Sequence, residues 1–255
     1  MTNQQERISR AAELIRERSP VAVFTGAGVS TAAGISDYRS KGGLWDRFQP
    51  VYFDEFLEDE EKRIEYWRRK EEMWPQVRDA KPSEGHRFVK ALHDTGKLSA
   101  VITQNVDGLH EASGVPGEKI LNLHGNTREI ACLSCGVVTP AEEVFPALDL
   151  SAGAPRCARC GGLLKPNTIS FGQSLDPEVL RTAEEESRRC AVMLAFGSTL
   201  QVYPAAGFPS MTAASGGSLI IVTLSETPLD DEAELVIRED IDTVAAELTR
   251  RIFGP

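Results

Sequence analysis

Apolar positions along the chain follow two alternating periods. Over residues 4–18, Ile8, Ala11, Ala12 and Ile15 recur at i, i+3, i+4 and i+7, which predicts an amphipathic helix with one buried face, closed by Pro20. Residues 21–24 (VAVF) then form a continuous apolar run that stops at a glycine-rich turn, the pattern of a short strand buried on both faces. Comparable runs at 100–102, 120–123, 192–196, 219–222 and 235–237 are mostly separated by segments of helical patterning. Such alternation predicts an α/β fold, a parallel sheet covered by helices on both faces.

Two stretches break the alternation. Residues 53–79 are dense in charge, with Phe53, Phe56, Leu57, Ile64 and Trp67 at helical spacing, and read as a helical excursion whose charged face is solvated. Residues 131–166 carry two Cys-x-x-Cys pairs together with Pro140, Pro146, Gly153, Pro155, Gly161 and Gly162, the composition of a small loop-rich module.

Composition narrows the function classes. In 255 residues, 41% hydrophobic, there is enough apolar surface for one large domain carrying a smaller insertion. The formal charge of −10 disfavours direct nucleic-acid binding, which needs a basic face. No apolar run is long enough for a membrane span, and the first twenty residues lack the apolar centre of a secretory signal, so the expectation is a cytoplasmic protein with no membrane partner.

Cys132-x-x-Cys135 and Cys157-x-x-Cys160, 21 residues apart, are spaced as two knuckles that close a tetrahedral four-thiolate Zn2+ site. Gly136 and the Gly161-Gly162 pair supply the tight turns that knuckles need. A pair of redox motifs is the rival reading, but those usually open a helix after a strand, and neither segment has that pattern. A closed four-thiolate site leaves no position for water, so this metal is expected to be structural. Cys190, ahead of a buried run, reads as a packed core thiol.

After the first apolar run comes Gly26-Ala27-Gly28, with Ser30 following and a third glycine only at Gly34. Glycines at 26 and 28 allow close backbone approach to a ligand, and a helix starting near Ser30 would aim its N–H groups at a pyrophosphate. The dinucleotide fingerprint places its third glycine earlier, so this turn by itself is a weak signal.

GAGVSTAAGISDYRS, TQNVDGLH, LHGNTRE, the paired cysteines and GSTLQVYPAA together resemble, in that order, the successive motifs of the sirtuins, NAD-dependent protein deacylases, over residues 21 to about 240. The resemblance implies a Rossmann-like parallel-sheet domain that binds NAD and a smaller inserted domain, part helical and part zinc-ribbon-like. The corresponding boundaries are 1–38 with 84–127 and 168–255 for the NAD-binding domain, 39–83 for the helical module and 128–167 for the zinc module. An acyl-lysine protein or peptide would enter the cleft between them, deacetylation being the expected activity.

The resemblance also implies roles. His124, just past the run 120–123, is the general base that takes a proton from a ribose hydroxyl, and an imidazole suits this because its ordinary pKa, about 6.5, is close to neutral pH. Asn105 and Asp107 join it as catalytic residues: Asn105 orients the ribose or a water, and Asp107, with Gln104, helps form the nicotinamide pocket. Gly26, Ala27, Gly28, Ser30 and Ile35 belong to the cofactor loop, with Asp37 on the carboxamide, Tyr38 over the reactive centre and Arg39 near the phosphates. Gly197, Ser198, Thr199, Thr223, Ser225 and Asp240 complete the cofactor set. Ile169, Ser170, Phe171 and Gly172 pair with the peptide as an added strand, a mode that tolerates many sequences, and wall the acyl-lysine tunnel, and Val202 is a further substrate-binding residue. His86, His93 and His110 read as ordinary histidines, with His110 near the site.

Several positions depart from the family pattern: Ser36 for proline, Tyr38 for phenylalanine, Ser198-Thr199 in inverted order, Thr223 for asparagine and Gln173 for glutamate. Sirtuins that remove acidic acyl groups carry Tyr and Arg three apart in the helical module. Tyr66 and Arg69 have that separation, but the charged-helix reading carries more weight here. Protein ADP-ribosylation, which uses the same cation-like centre, and a non-catalytic NAD-sensing module are the alternatives; a dehydrogenase is disfavoured by the late third glycine.

Overall fold

The structure, a computed structural model, describes residues 3–35 and 49–254. Among these residues the strands are β1 (Val21–Thr25), β2 (Leu98–Thr103), β3 (Ile120–Asn122), β4 (Gly125–Cys132), β5 (Val138–Pro140), β6 (Leu164–Thr168), β7 (Val192–Phe196), β8 (Ser218–Val222) and β9 (Leu235–Ile237). Each of the six apolar runs coincides with a strand of one parallel sheet, ordered β3-β2-β1-β7-β8-β9. The chain builds outward from β1 to β3, then crosses back to place β7 on the other side of β1. The reversal between β1 and β7 is the topological switch point, at whose carboxyl edge open α/β sheets bind ligands.

Alternate residues of β1 explain why the run had to be apolar throughout. Val21 and Val23 join a core with the helices Asn3–Glu17, Glu84–Asp94 and Ile241–Phe253, and Ile8, Ala11, Ala12 and Ile15 all bury there as their spacing predicts. Ala22 and Phe24 face the opposite core, under the helices Pro177–Arg189 and Gly207–Ala214.

A third core lies outside the parallel sheet. The excursion forms two helices, Phe53–Glu58 and Glu60–Asp79, the second capped by the Asp59 carboxylate, which accepts from the Glu61 and Lys62 N–H groups. Phe56, Trp67, Trp74 and Val77 pack with Ile130, Ala141 and Phe145 of the cysteine-bearing segment, and the Trp74 ring stacks on Phe145 at 4.8 Å between centroids. The antiparallel sheet β5-β4-β6 belongs to the same unit. Beneath its charged face the excursion therefore shares one core with the cysteine segment.

The glycine turn differs from the expected helix start. Residues Ala27–Ala33 form a 3-10 helix that ends at Gly34, in the left-handed conformation at φ 84°. The late third glycine closes this short helix, whereas in the dinucleotide fingerprint it lets a helix pack on a strand.

Candidate active site

Two loops meet backbone to backbone at the switch point. The Gly26 N–H donates to Phe196 O and the Gly28 N–H to Gly197 O, both at 2.9 Å. A Cβ on Gly26 would lie 2.7 Å from Gly197 O, and one on Gly28 2.7 Å from Gly197 Cα. Gly197 itself has φ 64°, and a Cβ there would reach 2.5 Å from the Val29 N. The glycines at 26 and 28, read in sequence as room for a ligand, are thus used first to seat one loop on the other.

Beside this junction a cleft opens between the switch-point loops and the helix Glu60–Asp79. Ala27, Ser30 and Ile35 line one side, Lys70, Met73 and Val77 the helical side, and Asn105 and Asp107 the base. The Asn105 amide donates to Ser30 Oγ at 3.1 Å, and Ser30 Oγ donates to the Asp107 carboxylate at 2.8 Å. The Gln104 amide crosses the switch point to Ser198 Oγ at 2.9 Å. Burial pushes the Asp107 carboxyl above its ordinary range, opposed by the Leu109 N–H, the Ser30 hydroxyl and the Arg128 charge. Behind the cleft, Asn105 N–H donates to Thr103 Oγ1, which also accepts from Thr25 Oγ1, and Thr25 is bonded in turn to His110 Nε2 at 2.9 Å. His110 is therefore connected to the site through two threonines.

His124 follows β3 at the same edge of the sheet. Its Nδ1 lies 3.0 Å from Gln104 O. A carbonyl can only accept, so Nδ1 carries the proton and the neutral ring presents a lone pair at Nε2. Burial lowers the His124 pKa, with the Gln104 carbonyl acting the other way, which keeps the ring neutral at neutral pH.

Ile169 N–H donates to His124 O, directly joining the predicted peptide segment to the histidine. Ser170 N–H is taken by Gln173 Oε1 at 3.1 Å and Phe171 O by the Phe53 N–H, while the Phe171 ring lies exposed against Tyr52 at 5.9 Å. Gly172 is exposed and Val202 and Thr199 are half-buried. Thr223 is buried past the end of β8, its Oγ1 accepting from Ser225 N–H. The Asp240 carboxylate caps the helix Ile241–Phe253 by accepting from Thr243 N–H. Asp37, Tyr38 and Arg39, like Ser36, lie outside the described residues.

Tyr66 and Arg69 point to different partners. Tyr66 is buried, its hydroxyl 3.1 Å from Thr168 Oγ1, while Arg69 pairs with Glu65 and donates to Gln49 O. Burial raises the Tyr66 phenol, but the Lys70 and Lys165 charges and hydrogen bonds outweigh it and bring the pKa to about 8. Lys165 is itself almost fully buried, donating to Thr168 O, and burial lowers its pKa.

The four paired cysteines converge. Their Sγ atoms all lie within 4.8 Å of one another, Cys132 to Cys160 at 3.5 Å and Cys135 to Cys157 at 3.8 Å. A tetrahedral zinc with Zn–S bonds of about 2.3 Å needs sulfurs about 3.8 Å apart, so the donor set fits Zn2+ in size and chemistry. Gly162 N–H points at Cys160 Sγ, as expected of a knuckle. Cys190 is buried elsewhere, beside Ser187 O and Thr212 Oγ1.

The Sir2 family model matches residues 26–204. The chain belongs to the Sir2 family. It is 44% identical over 234 residues to NAD-dependent protein deacetylase 1 of Bradyrhizobium diazoefficiens, covering 92% of each chain. It is 38% identical to the NAD-dependent protein deacetylase of Thermodesulfovibrio yellowstonii over 95% of this chain and 94% of the other. Among solved structures, a Sir2 with a p53 peptide and NAD+ superposes with a TM-score of 0.84 at 36% identity, covering 94% and 96% of the two chains. A Sir2 with an inhibitor, 2′-O-acetyl-ADP-ribose and a deacetylated p53 peptide gives 0.83, also at 36%, over 96% and 99%. The amides and hydroxyls grouped at the switch point can donate hydrogen bonds and the Asp107 carboxylate can accept them, a set that fits the NAD of this Sir2 protein.

Reading the sequence missed the helical wall of the cleft. Met73 and Val77 are ordinary apolar positions on a charged helix, with no local signal to distinguish them. Arg128, within the LHGNTRE motif, carries no sequence signal of its own, yet it donates to both Val77 O and Asp107 O.

Proposed function

We propose that this Sir2 protein is an NAD-dependent protein-lysine deacylase, acting on acetyl-lysine, that transfers the acyl group to ADP-ribose and releases nicotinamide. Support comes from relatives named NAD-dependent protein deacetylase over nearly the whole chain. The single observation that carries the mechanism is the His124 hydrogen bond to Gln104 O.

Once bound, NAD as co-substrate would supply an electrophilic anomeric carbon for the acyl oxygen, with nicotinamide as the leaving group. His124 is placed to take a ribose hydroxyl proton on Nε2, while the proton already on Nδ1 stays there and is donated in a hydrogen bond to the Gln104 carbonyl, which stabilises the imidazolium. Asn105 and Asp107 hold the nicotinamide end, their positions fixed through Ser30. Ser198 and Thr199 offer hydroxyl groups to the rest of the dinucleotide, beside Gly26, Gly28 and Gly197, whose own N–H groups hold the loops in place and whose lack of a side chain leaves the backbone open to it, with Thr223, Ser225 and Asp240 nearer its adenosine end. Ile169, Ser170, Phe171 and Gly172 form the segment that receives the peptide as an added strand and walls the acyl-lysine tunnel, with Val202 as a further contact.

In this reading residues 1–38, 84–127 and 168–255 form the NAD domain, and 39–83 with 128–167 the small domain. The separate third core supports that division. Four thiolate ligands require reduced cysteines, which supports a cytoplasmic setting. The test is nicotinamide release with and without an acetyl-lysine peptide, in wild type and His124→Ala. Release that depends on the peptide and vanishes in the variant is expected; peptide-dependent release at the wild-type rate in His124→Ala would overturn the assignment of the base.

A further inference from the structure

Arg128 links the two sides of the cleft. Its Nε donates to Asp107 O at 2.8 Å and its Nη2 to Val77 O at 2.7 Å. The preceding residue adds a parallel tie, Thr127 N–H donating to Val106 O at 2.7 Å. Two consecutive residues at the start of β4 thereby hold two consecutive carbonyls of the loop that carries Asp107.

The other end of the span has its own physical reason. Val77 lies in the last turn of the helix Glu60–Asp79, where carbonyls lack N–H partners four residues on. A guanidinium there satisfies an orphan acceptor and meets the negative end of the helix dipole. The same turn is tied to the opposite loop, since the Gln76 amide donates to Gly34 O. Val77 and Asp107 both line the cleft. The planar fork joining them fixes the distance across it, and the path of the side chain has little slack: a Cβ on Gly108 would lie 2.7 Å from Arg128 Cδ.

We propose that Arg128 is a positioning residue: by bridging Val77 O and Asp107 O it sets the width of the cleft, and through it the affinity for the nicotinamide end of NAD, leaving the rate of acyl transfer nearly unchanged. This rests on the functional reading above. Lysine is no equivalent, because one ammonium on a flexible stem cannot hold two acceptors on separate elements as the planar fork does.

The experiment is steady-state kinetics of wild type, Arg128→Met and Arg128→Lys with an acetyl-lysine peptide, varying NAD, peptide and nicotinamide separately. Losing two charge-assisted bonds in Arg128→Met should raise the KM for NAD and the inhibition constant of nicotinamide roughly ten- to hundredfold. The kcat and the KM for peptide should stay within about twofold, the split that separates positioning from loosened folding. Arg128→Lys should fall between. An unchanged KM for NAD in Arg128→Met, or equal losses in kcat and both KM values, overturns the proposal. If Arg128→Met fails to fold, Arg128→Lys decides, an intermediate rise supporting the idea and wild-type values refuting it. A wild type that releases no nicotinamide with any acyl peptide would defeat the functional reading alone. Calorimetric titration with NAD then decides the role of Arg128: weaker binding by both variants supports it, equal binding refutes it.

Discussion

The Nδ1 of His124 and the carbonyl oxygen of Gln104 are 3.0 Å apart, and this pairing leaves the base lone pair at Nε2. Gln104 also donates its side-chain amide to Ser198 and its backbone N–H to Thr25 O, so the group that orients the histidine is anchored to the loop after β7 and to the end of β1.

His124→Ala should therefore lower turnover by at least about a hundredfold while leaving NAD binding nearly intact, because the lost group moves a proton and holds no ligand. The pH profile has a definite sign. The neutral ring is the active form, and burial lowers its pKa from the ordinary 6.5. Wild-type turnover should then stay level down to about pH 6.5 and fall only below it. An acid limb centred above 6.5 would contradict this picture.

His86 and His110 make acid stability a second test. Their rings are 4.7 Å apart and buried. Burial lowers His86 to about 4, partly offset by the Asp242 charge, and takes His110 well below its ordinary value, with His86 as a further cause. Both are neutral when folded and take up protons on unfolding once the pH is below about 6.5, so stability is lost as pH falls from there toward 4. Each contributes at most about 1.4 kcal/mol per pH unit. The urea midpoint should drop between about pH 7 and pH 5, and His86→Asn should flatten that slope. Equal wild-type midpoints would refute it.

Removing one zinc ligand should act through folding. In Cys157→Ser the remaining thiolates leave an open position, so bound zinc and thermal stability should fall together, with activity following the folded fraction. Elemental analysis and calorimetry would check this. A stable, metal-free variant with full activity would contradict a structural role.

Gly197→Ala should separate the two loops. The new methyl would meet Val29 N at 2.5 Å and Gly28 at 2.7 Å, in a left-handed backbone conformation. A cost of about 1–3 kcal/mol is expected, with weakened NAD binding. Denaturant melts and NAD titration would show both, and wild-type values in each would dismiss the loop contact.

Local pattern revealed some features and hid others for identifiable reasons. Parallel strands buried on both faces leave unbroken apolar runs, so Val21, Ala22, Val23 and Phe24 announced β1 even though they divide between two cores. Cysteine spacing is short-range chemistry, and the four-thiolate cluster followed from it. The His124 motif located the base, but its tautomer depends on Gln104 O, which no pattern along the chain displays. Gly26 and Gly28 signal close approach and read in sequence as room for a ligand, whereas the partner they meet, Gly197, lies across the switch point where no pattern along the chain shows it. Arg128 was invisible because both acceptors are backbone carbonyls, Val77 O being 51 residues away.

Mass analysis of the products formed from NAD and an acetyl-lysine peptide tests the central claim most directly. The account predicts free nicotinamide, deacetylated peptide and O-acetyl-ADP-ribose in equal amounts. NAD consumption that yields ADP-ribosylated protein, or none at all with acyl peptides, would contradict it.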